Sequence, residues 1–279
     1  MLVRLISGIV LLALLLSVII VNGGVLAGFL LVISLIGFFE LVRACNVRAK
    51  NEKIALPEAV GYVGIVAYYG LLFFGTKECF SEYGTLLIIL TVMGMLLCYV
   101  LAFPRYRAGQ IMAAAFSYFY APILLSYIYQ TRNLPQGQYL VWLIFCGSWG
   151  CDTCAYAVGM LFGKHKLAPV LSPKKSIEGA VGGVVGSALI GFLYAKGVQI
   201  FLPAAGLGSE ILWAYPLISA IGAVLSQAGD LAASGIKRDH DLKDYSHLIP
   251  GHGGIMDRFD SVIVTAPLIY YLSLLLLDL

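Results

Sequence analysis

Charge is what this sequence has least of. Only 12% of its 279 residues are Asp, Glu, Lys or Arg, against about 25% in soluble domains. That leaves too little polar surface to cover a water-soluble globule. With 60% hydrophobic residues and mean hydropathy +0.91, the shortage implies a polytopic integral membrane protein. An excess of one sign is missing too, since the formal net charge is +3. No basic stripe with interleaved aromatics appears, so no nucleic-acid partner is expected. Cysteines number six, and Cys151-Asp152-Thr153-Cys154 has no second CxxC beside it. A single pair is a weak zinc signal and no disulfide framework. These thiols read as small apolar packing residues. Repeats, low-complexity tracts and a separate soluble domain are also absent.

What is present is a series of long apolar runs. A bilayer core needs about 20 such residues per helix. On that measure nine spans are predicted, over 4–21, 24–42, 58–75, 84–102, 109–129, 138–161, 178–201, 211–234 and 262–278. The fold class is therefore all-α, a polytopic helical bundle. Residues 1–137 form its N-terminal helices, and 138–279 its C-terminal helices with the chemistry. The first run is too long for a signal peptide and reads as a retained span. Polar residues from Ala44 to Pro57 predict a short interfacial helix. With the N-terminus placed in the cytosol, 15 Lys and Arg residues fall inside and only Lys77, Arg132 and Lys196 outside or near the outer end of a span. That bias sets the orientation and places the C-terminus outside. The charged loops 162–177 and 235–261 then share the cytosolic face.

Charge gathers in one stretch, Gln227 to Ser261. It holds ten charged side chains (Asp230, Lys237, Arg238, Asp239, Asp241, Lys243, Asp244, Asp257, Arg258, Asp260) and three of the four histidines. Carboxylates inside a span are costly without a partner, and Asp152 and Asp230 stand out on that ground. Ser226, Asp230 and Ser234 share a helix face, as do Asp257 and Asp260. Carboxylates at two helix ends suit a hard cation with oxygen ligands. Pairing of Asp257 and Asp260 with Arg258 or Lys237 is the plainer reading. Gly251-His252-Gly253-Gly254 precedes a helix, where backbone amides receive anions. A tight turn is the alternative, and His252 reads equally as a hydrogen-bond donor, a proton carrier or a cap.

Two further elements carry polar residues at helix ends. In Ser172-Pro173-Lys174-Lys175-Ser176, Ser176 is placed to cap a helix. The lysines read as topology anchors or phosphate ligands, and one of them as the neutralising partner of Glu178. Gly179, Gly182, Gly183 and Gly186 form small-xxx-small pairs, the mark of a close helix-packing face. Asp152 and Tyr156 lie i, i+4 on one face, either to orient a ligand or to hydrogen-bond between helices.

These residues resemble the phosphatidate cytidylyltransferase, or CDP-diglyceride synthase, family. Its long C-terminal motif matches at every fixed position: Ser234, Lys237-Arg238, Lys243-Asp244, His252-Gly253-Gly254 and Asp257-Arg258-x-Asp260. The Asp-x-x-Ala-Tyr-x-x-Gly element matches at Asp152 to Gly159, and Ser-Pro-Lys-Lys at Ser172 to Lys175. Ser176, where Thr is common, is a departure that keeps the hydroxyl. The likeness covers roughly the C-terminal half.

The resemblance implies transfer of CMP from CTP to phosphatidic acid, giving CDP-diacylglycerol and pyrophosphate in phospholipid biosynthesis. It implies an integral protein of the bacterial inner membrane that works on membrane lipid. Asp230, Asp257 and Asp260 would hold Mg²⁺, with a second cation allowed. The catalytic set would be Asp230, Lys237, Arg238, Asp257 and Asp260. Substrate would be held by Asp152, Tyr156, Ser172, Lys174, Lys175, Ser176, Ser234, Lys243, Asp244, His252, Gly253, Gly254, Arg258 and Ser261. A homodimer stays open. The rival class is a membrane transporter with an intramembrane ion site. Such a protein spreads its polar groups toward the midplane, whereas here they collect at a boundary.

Overall fold

The computed structural model describes residues 2–49, 52–203, 207–249 and 253–277, without the side chains of residues 2–7 and 9. Apolar side chains in lipid leave the backbone only its own groups to bond with, so long helices dominate. In chain order they are α1 (Leu2–Val21), α2 (Gly23–Ala44), α3 (Leu56–Phe74), α4 (Lys77–Leu101), α5 (Ala108–Tyr118), α6 (Leu124–Arg132), α7 (Gly137–Phe145), α8 (Cys151–Phe162), α9 (Ile177–Phe201), α10 (Ile211–Asp239) and α11 (Met256–Leu276). Wide π turns, Phe119–Ile123 and Cys146–Gly150, join α5 to α6 and α7 to α8 into two continuous rods. Among the described residues eight helices or rods are long and apolar enough to cross a membrane, and the apolar part of α1, Val10–Val21, adds a shorter one. Each of the nine expected spans falls on one of these. The chain is a polytopic helical membrane protein.

A hairpin interrupts the helices. Strands β1 (Lys166–Ala168) and β2 (Ser172–Ser176) pair antiparallel, with Lys166 opposite Ser176 and Ala168 opposite Ser172. The Ser176 hydroxyl then accepts the Gly179 amide at 3.1 Å and starts α9. The expected cap is therefore in place. Glu178 does not take a lysine. It pairs with His165 at 2.6 Å and accepts the Lys164 amide at 3.1 Å. The hairpin turns the His165 ring onto it and leaves Lys175 free to point elsewhere.

The chain packs as two compact units. The first comprises Met1–Tyr129 and Asp239–Arg258. Its core includes Leu30, Phe38, Leu41, Ile65, Met95 and Tyr118. Gly61 has no side chain because Phe38 and Met95 fill that space. The connection after α2 forms no helix among its described residues. Instead Arg48 clasps Glu58 through two bonds of 2.8 and 2.7 Å. Glu52 takes the Arg105 guanidinium at 2.7 Å and the Tyr106 hydroxyl at 2.5 Å. Burial, together with that bond, holds the Tyr106 phenol above its ordinary range. These long-range polar contacts, not an amphipathic face, decide the shape of the segment.

The second unit comprises Gln130–Arg238 and Phe259–Leu279. Here α8 and α9 pack at very close range. A Cβ on Gly182 would lie 2.5 Å from the Val158 side chain, and one on Gly183 would lie 2.9 Å from the Cys151 sulfur. A Cβ on Gly186 would meet Cys154 at 2.5 Å. The glycine stripe and both cysteines are therefore parts of one helix interface, as the small-residue spacing implies. All six thiols are free.

Candidate functional site

In the second unit four polar elements meet. Asp152 comes from the first turn of α8, Lys175 from β2, Asp230 from α10 and Asp260 with Ser261 from α11. The Lys175 ammonium lies 2.5 Å from Asp230 Oδ2, with both side chains about one quarter exposed. The Ser261 hydroxyl donates to Asp152 Oδ2 at 3.4 Å. Asp260 Oδ1 accepts the Ser261 amide at 2.8 Å. Asp152 lies within electrostatic reach of Asp230 and Lys175. Asp260 lies within reach of Asp230, Asp152 and Lys237.

Local sequence explains the gathering. Gly229 precedes Asp230, and a Cβ there would lie 2.9 Å from the Val264 side chain and 3.1 Å from the Asp260 carbonyl. Without a side chain at 229, α10 and α11 approach until their acids are neighbours. Behind them Gln227 donates to the Ala180 carbonyl at 3.0 Å, tying α10 to α9. The π turn at Cys146–Gly150 directly precedes Asp152. Such turns are frequent at functional sites.

The long motif is divided between the units. Ser234, Lys237, Arg238, Asp260 and Ser261 belong to the second, whereas Lys243, Asp244, Gly253, Gly254, Asp257 and Arg258 belong to the first. In the first unit Asp257, in the opening turn of α11, is buried and spends one oxygen on backbone. Its Oδ2 accepts the Tyr245 and Gly254 amides, both at 2.9 Å. Gly253 has φ +83, a conformation that favours glycine. Lys243 and Arg258 are exposed. His252 lies outside the described residues.

Of the expected cation set, Asp230 and Asp260 lie in the second unit and Asp257 in the first. Among the described residues no three His, Cys, Asp or Glu side chains are grouped as a metal cage, the trio Asp152, Asp230 and Asp260 included. Asp257 serves the backbone, and Asp230 is already neutralised by Lys175. The acids that share one electrostatic neighbourhood are Asp152, Asp230 and Asp260. Their donors are carboxylate oxygens, which fits a hard divalent cation. Tyr156, in the turn after Asp152, is exposed, as is Lys174, while Ser172, Ser176 and Ser234 are half-buried.

Sequence reasoning passed over Glu40. It is 1% exposed and accepts the Ser246 hydroxyl at 2.5 Å and the Ile255 and Met256 amides at 3.0 and 2.8 Å. The signal was there: an acid near the end of an apolar span, the rule that selected Asp152 and Asp230.

Residues 2–276 match the model of the Cytidylyltransferase family. The chain is 33% identical over 271 residues to a protein of Staphylococcus saprophyticus named phosphatidate cytidylyltransferase, covering 96% of each chain. A Bacillus subtilis protein of the same name is 31% identical over 241 residues, covering 85% of this chain and 84% of the relative. One from Staphylococcus epidermidis is 39% identical over 150 residues, 54% of each chain.

Proposed function

The chain belongs to the cytidylyltransferase family, and from that premise we propose that it makes CDP-diacylglycerol. A phosphate oxygen of phosphatidic acid attacks the α-phosphorus of CTP. A new P–O bond forms, the bond to the β-phosphate breaks, and pyrophosphate leaves. The lipid phosphate is already an anion at neutral pH, so the protein need not remove a proton. Its work is positioning and charge neutralisation.

The observation that carries this reading is the meeting of Asp152, Asp230 and Asp260 with Lys175 in the second unit. Lys175 and Lys237 supply positive charge for phosphate oxygens of CTP and lipid. Lys174, on the same strand as Lys175, supplies more from the exposed side of the hairpin, and Arg238 from the end of α10. Asp152, Asp230 and Asp260 would hold a divalent cation, which we assign as Mg²⁺ because all the donors are hard oxygens. When bound, that cation offsets charge on the leaving pyrophosphate. Lys243 and Arg258, both exposed on the first unit, offer further positive charge for phosphate, and Asp244, Gly253, Gly254 and Asp257 belong to the same segment. A cytosolic N-terminus is read from the Lys and Arg distribution, and a place in the bacterial inner membrane from the bacterial relatives. A transporter finds no support in the relatives' names.

Purified protein in detergent, given CTP, Mg²⁺ and phosphatidic acid, is expected to release pyrophosphate and form the liponucleotide. Absence of both products with a folded protein overturns the reading.

A further inference from the structure

Glu40 lies near the C-terminal end of α2, flanked by the buried Phe38, Leu41 and Val42. A carboxylate in such a place persists only if donors surround it. Two of its donors are the Ile255 and Met256 amides, at 3.0 and 2.8 Å. These are among the first amides of α11, which have no partner within their own helix. The third is the Ser246 hydroxyl at 2.5 Å. Glu40 is therefore an N-cap for α11 delivered by a helix about 215 residues earlier in the chain, where the helix dipole also favours a negative group. Gly254 is required for it, because a Cβ there would collide with the Glu40 carboxylate. Asp257 completes the arrangement by taking the Gly254 and Tyr245 amides. Two acids thus hold Tyr245 and Ser246, which follow Lys243 and Asp244, and Gly254, Ile255 and Met256 at the start of α11.

We propose that Glu40 is a positioning residue for nucleotidyl transfer: it fixes this segment, from outside the motif, in the form that receives substrate phosphate. The proposal rests on the function given above. A glutamine could not replace it. Both carboxylate oxygens accept, whereas the glutamine NH₂ would face the Ile255 or the Met256 amide N–H in either orientation. A segment loosened in this way must be reordered by the substrate, so the cost falls on binding and not on the chemical step.

The test is Glu40→Gln, with Glu40→Asp as the conservative variant. For Glu40→Gln the KM for CTP should rise about tenfold, the effect of losing one charge-assisted hydrogen bond, with kcat within about twofold. Glu40→Asp should recover part of the KM. Hydrogen exchange at the Ile255 and Met256 amides should speed up in Glu40→Gln. Should that variant fail to fold, Ser246→Ala removes a single donor and should move KM the same way by less. An unchanged KM, a kcat loss exceeding the KM rise, or unaltered exchange at those amides overturns the proposal. Exchange is read without turnover, so an inactive wild type would sink the functional reading and still leave the Glu40 clamp testable.

Discussion

Lys175, on a two-stranded hairpin, holds Asp230, on a long membrane helix, at 2.5 Å. Neither residue sits in a stable place without the other. The lysine is one quarter exposed at the edge of an apolar bundle, and the aspartate is inside a span. Their pairing brings the hairpin onto the acidic cluster and gives that cluster its first positive charge. It also makes one cation ligand compete with an internal ammonium, so the pair is a natural point at which a phosphate can take over Lys175.

Replacing Lys175 should therefore separate binding of phosphate from folding. Lys175→Met keeps the stem and removes the charge. We expect kcat/KM for CTP to fall about 100-fold, in the range seen when one donor to a reacting oxyanion is lost. The Asp230 side chain keeps about one quarter of its surface exposed, so water can take over part of the lysine's role and the protein should still elute as a folded particle in detergent. Turnover within a few-fold of wild type would remove Lys175 from the site.

Asp260 and Asp257 are one helical turn apart and should behave differently. Asp260→Asn removes a charge from the acidic cluster and should reduce turnover by about 1,000-fold while shifting the unfolding midpoint little. Asp257→Asn disturbs two backbone bonds to a buried oxygen. It should destabilise the fold by about 1–3 kcal/mol, read as a lower midpoint of thermal unfolding in detergent. If Asp260→Asn melts early and Asp257→Asn does not, the assignment of roles is reversed.

That contrast shows what was legible in the sequence. All nine apolar runs fall on helices, because bilayer thickness sets a length that hydropathy reveals directly. The glycine stripe 179–186 declared its partner type, and the structure supplies Val158, Cys151 and Cys154 as the partners. Residues near the acidic cluster were legible too, since an acid in an apolar helix demands a reason. Which acids are neighbours was not. Spacing i, i+3 made Asp257 and Asp260 look alike, but the Tyr245 and Gly254 amides claim only the first. Glu40 and Ser246 are 206 residues apart, and periodicity carries no information over that distance. The hairpin at 166–176 is too short and too charged to show an alternating pattern.

The α8–α9 contact leads to a test of packing. Gly182→Leu places a large side chain where even a Cβ would meet Val158. The helices must separate, at a cost of about 1–3 kcal/mol or more. Asp152 on α8 should then lose its place beside Ser261 and Asp230, so both thermal stability and turnover should drop. Gly197→Leu on the same helix is the control, because a Cβ there meets nothing within 4 Å. Equal behaviour of the two variants would contradict close packing at 182.

Orientation yields to chemistry at two free thiols. Cys79 stands at the start of α4 and Cys45 just after α2, and both are half-buried. In single-cysteine variants, an impermeant maleimide should label Cys79 on intact cells and Cys45 only after permeabilisation. Burial pushes the Cys45 thiol above its ordinary range. Because the thiolate is the reacting form, its labelling should be slow at neutral pH and keep accelerating as pH is raised past the usual cysteine value. A Cys45 signal that stays low at every pH after permeabilisation would indicate a blocked site, which full labelling in denaturant would identify. Labelling of Cys45 from outside with Cys79 protected would turn the chain around. The loops 162–177 and 235–261 would then face away from soluble CTP, and the lipid-modifying role could not operate from the cytosol.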